Sequence, residues 1–285
     1  MRRIAIMACA TLVSGCADLS AVRDISSRLT KATNSWNDVG NEIAGSCLRE
    51  TSLNPMLSSC EAEKRSSEGV VAANKVLNAY FKALTDAAND SNFTIQPGLD
   101  AATKSIAAIP DIKKERVDAV SGLIGFLAQL ATGAMREDVL RQLIDRGAPN
   151  AKSVIDGLDE VLGLPLLGRL DTEKTYLTAI YVKQIRDQKD KVEGEPADLC
   201  KGSKAAGFSG AGFLLAQDYC RRLGVIEARE KAVADYQGSL KDASTALTEL
   251  QSSKAKLKAK DLAKRLYKIG SDLDDTIDAI DKAFS

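Results

Sequence analysis

Apolar residues recur at alternating spacings of three and four along most of this chain, which is the spacing of one face of an α-helix. Long alternating runs of β-branched and aromatic residues, which are typical of strands, do not occur in the sequence. The sequence therefore predicts an all-α fold, an elongated antiparallel helical bundle with long coiled-coil-like helices. The clearest seams are Leu19, Val22, Ile25, Leu29, Ala32, Trp36, Val39 and Ile43, and later Val233, Tyr236, Leu240, Ala243, Leu247 and Leu250.

Glycine, proline and short polar clusters predict where these helices end. A further seam, from Ala255 to Phe284, does not continue the preceding register across residues 251–253. The sequence leaves open whether the helix breaks there or continues through a stutter. The other predicted breaks are a loop between Cys47 and Cys60, helix ends at Gly147 with Pro149 and at Gly163 with Pro165, and a loop over the glycine-rich residues 193–212.

The first fifteen residues have the features of an export signal. Arg2 and Arg3 precede an apolar run over residues 4–13, and small residues follow it. That run is too short for a permanent span, which needs about 20 residues. A basic start, a short apolar core and a small-residue cleavage site predict a secretory signal peptide over residues 1–15, removed from the mature chain. Residues 16–285 then form a single helical domain.

The segment Val13-Ser14-Gly15-Cys16 resembles the lipobox of bacterial lipoproteins. The resemblance implies cleavage before Cys16 and acylation of that cysteine with fatty chains such as palmitate, which anchors the chain to a membrane. Ala17 follows the cysteine, and the resemblance then implies the periplasmic side of the outer membrane, with the inner membrane left open. An ordinary signal peptide with an incidental cysteine is the alternative.

Four further cysteines remain in the exported chain, and four cysteines allow three pairings. We expect disulfides between Cys47 and Cys60 and between Cys200 and Cys220, because each pair brackets one short polar or glycine-rich stretch. Free thiols or a metal site are the alternatives. A metal site is disfavoured because the chain has no CxxC motif and no histidine.

The absence of histidine also limits the chemistry available to the chain. It excludes serine–histidine and cysteine–histidine nucleophilic pairs and histidine general acid–base catalysis. Carboxylate chemistry of the glycosidase type stays possible, although most carboxylates fall on the polar sides of the helices. The 39 basic and 39 acidic residues balance, so nucleic acid is not an expected partner. We expect no catalytic residue, no cofactor and no bound metal.

A basic run near the C-terminus is the one concentrated charge signal in the sequence. It leaves free the helical face that carries Leu262 and Leu266, so it predicts the polar side of an amphipathic helix. Those charges could face solvent and an acidic neighbour, or they could contact anionic lipid head groups. The run consists of Lys254, Lys256, Lys258, Lys260, Lys264, Arg265 and Lys268.

Residues 119–134 are apolar on nearly every side, and at about 24 Å as a helix they fall short of the roughly 30 Å hydrocarbon core of a bilayer. Such a segment predicts a buried central helix. The alternative is a membrane-inserting element with residues 161–168 as its second limb, and that architecture resembles α-helical pore-forming toxins.

These observations predict a lipid-anchored periplasmic protein with a non-enzymatic structural or partner-binding role in the bacterial cell envelope. Its expected partners are the membrane, through the anchor, and an envelope protein that recognises its helical faces. A membrane-active protein and a cell-wall enzyme are the alternatives. The oligomeric state stays open.

Overall fold

The computed structural model describes residues 19–53, 59–89, 91, 99–131, 136–187, 200 and 210–285. All regular structure within these residues is helical, as the seams predict. In chain order the helices are α1 (Ser20–Leu53), α2 (Glu61–Ala88), α3 (Asp100–Ala107), α4 (Lys114–Leu130), α5 (Arg136–Gln142), α6 (Ala148–Asp187), α7 (Gly210–Ser252) and α8 (Lys260–Phe284).

Two antiparallel helix pairs form the body of the bundle. In the first pair, α1 packs against α2, and Asn78 donates to the carbonyl of Thr30 at 3.0 Å. In the second pair, α6 packs against α7, where Lys152 bonds Thr248 at 2.9 Å near one end of the bundle. Of the shorter helices, α3 packs mainly against α2, and α4 packs mainly against α6 while it also contacts α2.

The last helix, α8, runs in the same direction as α1. Arg28 of α1 donates to the carbonyl of Gly270 at 2.9 Å, and Lys31 pairs with Asp278 at 3.7 Å. Residue numbers therefore rise together along the two helices. The seam of α8 closes the groove between α1 and α7.

One apolar cluster runs through all eight helices, and each of its fully buried members lies at or after Val22. Its largest side chains without solvent exposure include Trp36, Tyr80 and Phe81. Burying a side chain of this size contributes about 1.5–3 kcal/mol. A chain that begins at Ala17 therefore keeps every core residue that the structure describes.

The loop predicted from Cys47 begins later than expected. Helix α1 continues to Leu53, and Cys47 lies within it. The reason is that the seam continues past Ile43, since Ser46 and Glu50 on the same face are also buried. Residues 54–58 lie outside the described part.

The helix end predicted at Gly147 and Pro149 is wrong. A π-helical turn, Leu143–Gly147, leads from α5 directly into α6. Pro149 then sits in the first turn of α6, where a missing N–H is tolerated. Tyr80 holds the π turn by donating to the Leu143 carbonyl at 3.0 Å. A Cβ at position 147 would lie 2.6 Å from the Tyr80 ring, so glycine permits the close packing.

The end predicted at Gly163 and Pro165 is also wrong, because α6 continues through both residues. A proline in a helix interior costs about 3 kcal/mol. Pro165 is on the exposed side, and the opposite face keeps an uninterrupted row of buried leucines, each worth about 1.5–3 kcal/mol. Burial of that row outweighs the lost hydrogen bond. The row is Leu162, Leu166 and Leu170.

The question left open at residues 251–253 is settled as a break. Helix α7 ends at Ser252, a short 3₁₀ turn covers Lys254–Lys256, and α8 begins at Lys260. Ala255, expected on the second seam, is exposed in this turn. The predicted loop over 193–212 lies mostly outside the described part, and its last three residues belong to α7.

Candidate functional site

The seven residues of the basic run are all exposed and gather at one end of the bundle, where α7 turns into α8. We call this the basic end and define it by the run itself. The 3₁₀ turn presents the first two residues of the run, the connection to α8 presents the third, and the first turns of α8 present the others. The basic end consists of Lys254, Lys256, Lys258, Lys260, Lys264, Arg265 and Lys268.

Only part of this charge is neutralised by neighbouring carboxylates. Lys254 pairs with Asp145 of the π turn at 2.8 Å, and Arg265 pairs with Glu249 of α7 at 2.8 Å. The other five, all lysines, form no ion pair within the described residues. The basic end therefore offers five ammonium groups to solvent or to an external anion.

Tyr267 belongs to the same surface and is 73% exposed, and it is not a member of the predicted apolar seam. It lies between Lys264 and Lys268, one position from the buried Leu266. An aromatic residue on the polar side of an amphipathic helix was the available signal. Tyrosine is enriched at membrane–water interfaces because its ring is apolar and its hydroxyl is polar.

The start of α1 lies at the basic end. Arg28 is level with Gly270, and α1 and α8 run in the same direction. Ser20, about two turns before Arg28, is therefore level with the first turns of α8. Independently, Trp36 contacts Ser239 and Glu42 contacts Arg229, so α7 runs antiparallel to α1 and its end meets the start of α1.

Cys16 itself lies outside the described residues, but its distance from α1 is limited by the chain. Three residues lie between Cys16 and Ser20, and the four steps of chain that join the two reach at most about 14 Å when fully extended. A lipid on Cys16 would therefore attach the bundle by the same end that carries the unpaired lysines.

Both expected disulfides are present, and both are distant from the basic end. Cys47 of α1 bonds Cys60, just before α2, across the far end of the first helix pair. Cys200 bonds Cys220 of α7, near the start of that helix. Each closes a connection between helices.

The apolar segment 119–134 is part of the core as far as it is described, to residue 131. Helix α4 buries one face against the cluster and exposes small or polar residues on the other. Residues 161–168 lie within α6. Among the helices that the structure describes, none has both the length and the apolar character needed to cross a bilayer. The buried face is Ala119, Val120, Leu123, Phe126, Leu127 and Leu130.

A network of buried ions joins α1, α6 and α7 about 40 Å along α1 from its start, at 1.5 Å per residue. Arg49 donates to Glu173 at 2.7 Å and also bonds Glu42. Ser46 donates to Glu173 at 2.8 Å, and Arg229 donates to Glu42 at 3.1 Å. Both carboxylates are only 4% exposed. Three helices are therefore held by charge-assisted hydrogen bonds.

Burial by itself would lower the pKa of Arg49, but the hydrogen bonds to Glu173 and Glu42 outweigh it and raise that pKa above its usual value. The guanidinium therefore stays charged at every accessible pH. Glu50, the third buried glutamate, pairs with Arg169 at 2.8 Å. Carboxylates held by arginines in this way suit helix attachment better than proton transfer.

This network was not predicted from the sequence, although the sequence contains a signal for it. Glu50 lies three residues after Cys47 on the seam of α1, and Glu173 lies between Leu170 and Leu177 on the seam of α6. A charged residue at a seam position indicates a buried ion and hence a buried partner.

Comparison of the chain with protein-family models, curated proteins and solved structures finds no match. Nothing is therefore transferred from a relative. Its function is inferred from its own residues and their arrangement.

Proposed function

We propose that the protein is a periplasmic lipoprotein, anchored through Cys16, that serves as a non-enzymatic structural or partner-binding component of the cell envelope. In this proposal the bundle stands on the membrane by its basic end, and the rest of its length extends into the periplasm. The membrane is the outer one if Ala17 acts as the resemblance to lipoproteins implies.

The observation that carries the proposal is the position of the start of α1. Export and lipidation are suggested by the first sixteen residues, and the basic run lies some 240 residues later in the sequence. The two signals are unrelated in sequence, yet the start of α1, which follows Cys16 after a few residues, lies at the same end of the bundle as the basic run. A membrane at that end accounts for both.

The electrostatic attraction between the basic end and an anionic membrane is large enough to orient the bundle. Each lysine near an anionic surface contributes about 1 kcal/mol, so five unpaired lysines add a substantial electrostatic attraction to the lipid anchor. Tyr267, exposed among them, is placed to enter the head-group region. The attraction weakens within a Debye length and with added salt. Its role in the proposal is to fix the direction of the bundle.

Vesicle sedimentation tests the electrostatic contact without the lipid. The chain from Ala17 should bind vesicles that contain phosphatidylglycerol more strongly than vesicles of phosphatidylcholine alone. Reversal of Lys256, Lys258, Lys264 and Lys268 to glutamate should reduce that binding at least tenfold, because it replaces attraction by repulsion.

The matched control makes the same net charge change at exposed lysines away from the basic end, and it should keep a measurable part of the binding. The four control positions are Lys64, Lys75, Lys183 and Lys231. Equal loss in both variants would mean that only net charge matters. Unchanged binding after reversal at the basic end would contradict the proposed orientation.

The partner-binding part of the proposal is tested separately. After cross-linking in intact envelopes, the anchored protein should be recovered with a defined protein partner. Repeated recovery of the protein alone would contradict a partner-binding role and favour a purely structural one.

A further inference from the structure

A cavity of about 280 Å³ opens beside the buried ion network, between the C-terminal part of α1 and the helices α6 and α7. Three of its arginines belong to α7, two of them adjacent in sequence and the third two turns later, and Arg49 of α1 completes the set. We call it the arginine pocket. Its principal lining residues are Arg49, Arg221, Arg222, Arg229, Leu53 and Val225.

The two inner arginines of the pocket are fixed. Arg49 is bound to Glu42 and Glu173, and Arg229 is bound to Glu42, so these guanidinium groups form a rigid floor. Such support positions a charged surface without cost at the moment of binding, which is the usual benefit of preorganisation.

The two outer arginines have donors to spare. Arg221 and Arg222 share the single carboxylate of Asp218, which also accepts from the hydroxyl of Tyr181. Arg222 uses only its Nε, at 2.9 Å, and both of its Nη groups have no acceptor among the described residues. Arg221 uses only Nη2. The unused N–H groups form the planar fork that binds carboxylate or phosphate with two hydrogen bonds.

The charge of the pocket also favours an anion. Four guanidinium groups contact three carboxylates, those of Glu42, Glu173 and Asp218. The cluster therefore has a net charge of one positive unit. Hydrogen bonds from Tyr181 and Arg221 lower the pKa of Asp218 to about 2. That carboxylate is therefore fully charged at neutral pH, and the excess remains a single positive charge.

The rim of the pocket is apolar on one side. Val225 lines the pocket and is 40% exposed, and Leu53 of α1 and Ile226 of α7 line it as well. Apolar side chains beside free guanidinium groups match a ligand with a charged head and an apolar body better than a fully hydrated ion.

We propose that the arginine pocket binds a small organic anion, whose carboxylate or phosphate group is held by Arg221 and Arg222 and whose apolar part rests on Val225. This site is independent of the membrane anchor. It lies far from the basic end, on the part of the molecule that would face the periplasm.

Calorimetric titration of the chain from Ala17 tests the pocket with four probes: inorganic phosphate, acetate, octyl phosphate and octanoate. One or both octyl compounds should bind at least tenfold more tightly than their short counterparts, and the tighter of the two identifies the head group. Absence of binding by every probe would overturn the proposal. Equal affinity of long and short probes would overturn the apolar contact.

Variants then locate the binding. Arg221→Gln with Arg222→Gln should weaken octyl-probe binding at least tenfold, and Val225→Ser should weaken the octyl probes but not the short ones. The matched control, Arg23→Gln with Lys31→Gln, removes two exposed, ion-paired cations of α1 near the basic end. Equal loss in the control, or no loss in the arginine variant, would show that binding is non-specific and overturn the site.

Discussion

The indole N–H of Trp36 on α1 donates a 2.8 Å hydrogen bond to the hydroxyl of Ser239 on α7, 203 residues later in the chain. The same indole meets the ring of Tyr236 edge-on, with 5.7 Å between centroids. Both contacts are fully buried. They fix the antiparallel register of α1 and α7, and this register brings the start of α1 to the basic end.

Replacing Trp36 should therefore destabilise the whole bundle. Trp36→Ala should lower the free energy of unfolding by about 3–5 kcal/mol because it leaves a large cavity. Trp36→Phe should lower it by at least about 1 kcal/mol, since the hydrogen bond to Ser239 is lost. Urea unfolding followed by circular dichroism measures both. Tyr267→Phe, at an exposed aromatic residue, is the control and should change little; an equal effect there would contradict this account.

The buried ion network should be sensitive to loss of one carboxylate. Glu173→Gln removes a charge that Arg49 and Ser46 both contact, and breaking a buried pair costs about 3–5 kcal/mol. Asp187→Asn breaks the exposed pair with Lys183 and should cost less than about 1 kcal/mol. Thermal and urea unfolding of the two variants compare them directly. Similar losses would mean that the network contributes no more than a surface pair.

The disulfide between Cys47 and Cys60 should contribute to stability mainly by restricting the unfolded chain. Its partners are 13 residues apart, and closing a loop of about 15 residues contributes about 3 kcal/mol in the chain-entropy model. The double substitution Cys47→Ser and Cys60→Ser should lower the unfolding free energy by that order. If a reducing agent lowers the melting temperature of the double variant as much as that of the wild type, the disulfide between Cys47 and Cys60 does not contribute the expected stability.

Asp242 should show the opposite pH behaviour from a paired carboxylate. Burial, and then the nearby charge of Asp272, raise its pKa above the ordinary value of 3.8. A carboxylate with a raised folded-state pKa reduces stability above that pKa, and the penalty vanishes as pH falls below its unfolded value. Asp242→Asn should therefore stabilise the protein at pH 7 and lose this advantage near pH 3.5. A constant difference across this range would contradict the stated cause.

The helical seams predicted the fold class because a long apolar stripe has to be buried, and a bundle buries it in the simplest way. Helix ends were predicted less well. Gly147 and Pro165 are weak breakers here, because Tyr80 supports the π turn and a row of leucines holds α6 together around the proline. Local propensity was overruled by packing partners that are distant in sequence.

The candidate sites likewise depend partly on local sequence and partly on packing between residues that are distant in sequence. The basic run was recognised from consecutive residues, but its position beside the start of α1 depends on the parallel arrangement of α1 and α8, which no local pattern encodes. The arginine pocket was not predicted, because Arg49 and Arg222 are 173 positions apart and only the packing of α1 against α7 brings them to one cavity.

The most direct test of the account is mass spectrometry of the protein extracted from the membranes of the cells that naturally produce it. We predict a mature N-terminus at Cys16 that carries a diacylglyceryl group and an amide-linked acyl chain, and a protein released from membranes only by detergent. A chain that retains residues 1–15, or one that begins at Cys16 without lipid, would contradict the membrane anchor and with it the proposed orientation of the bundle.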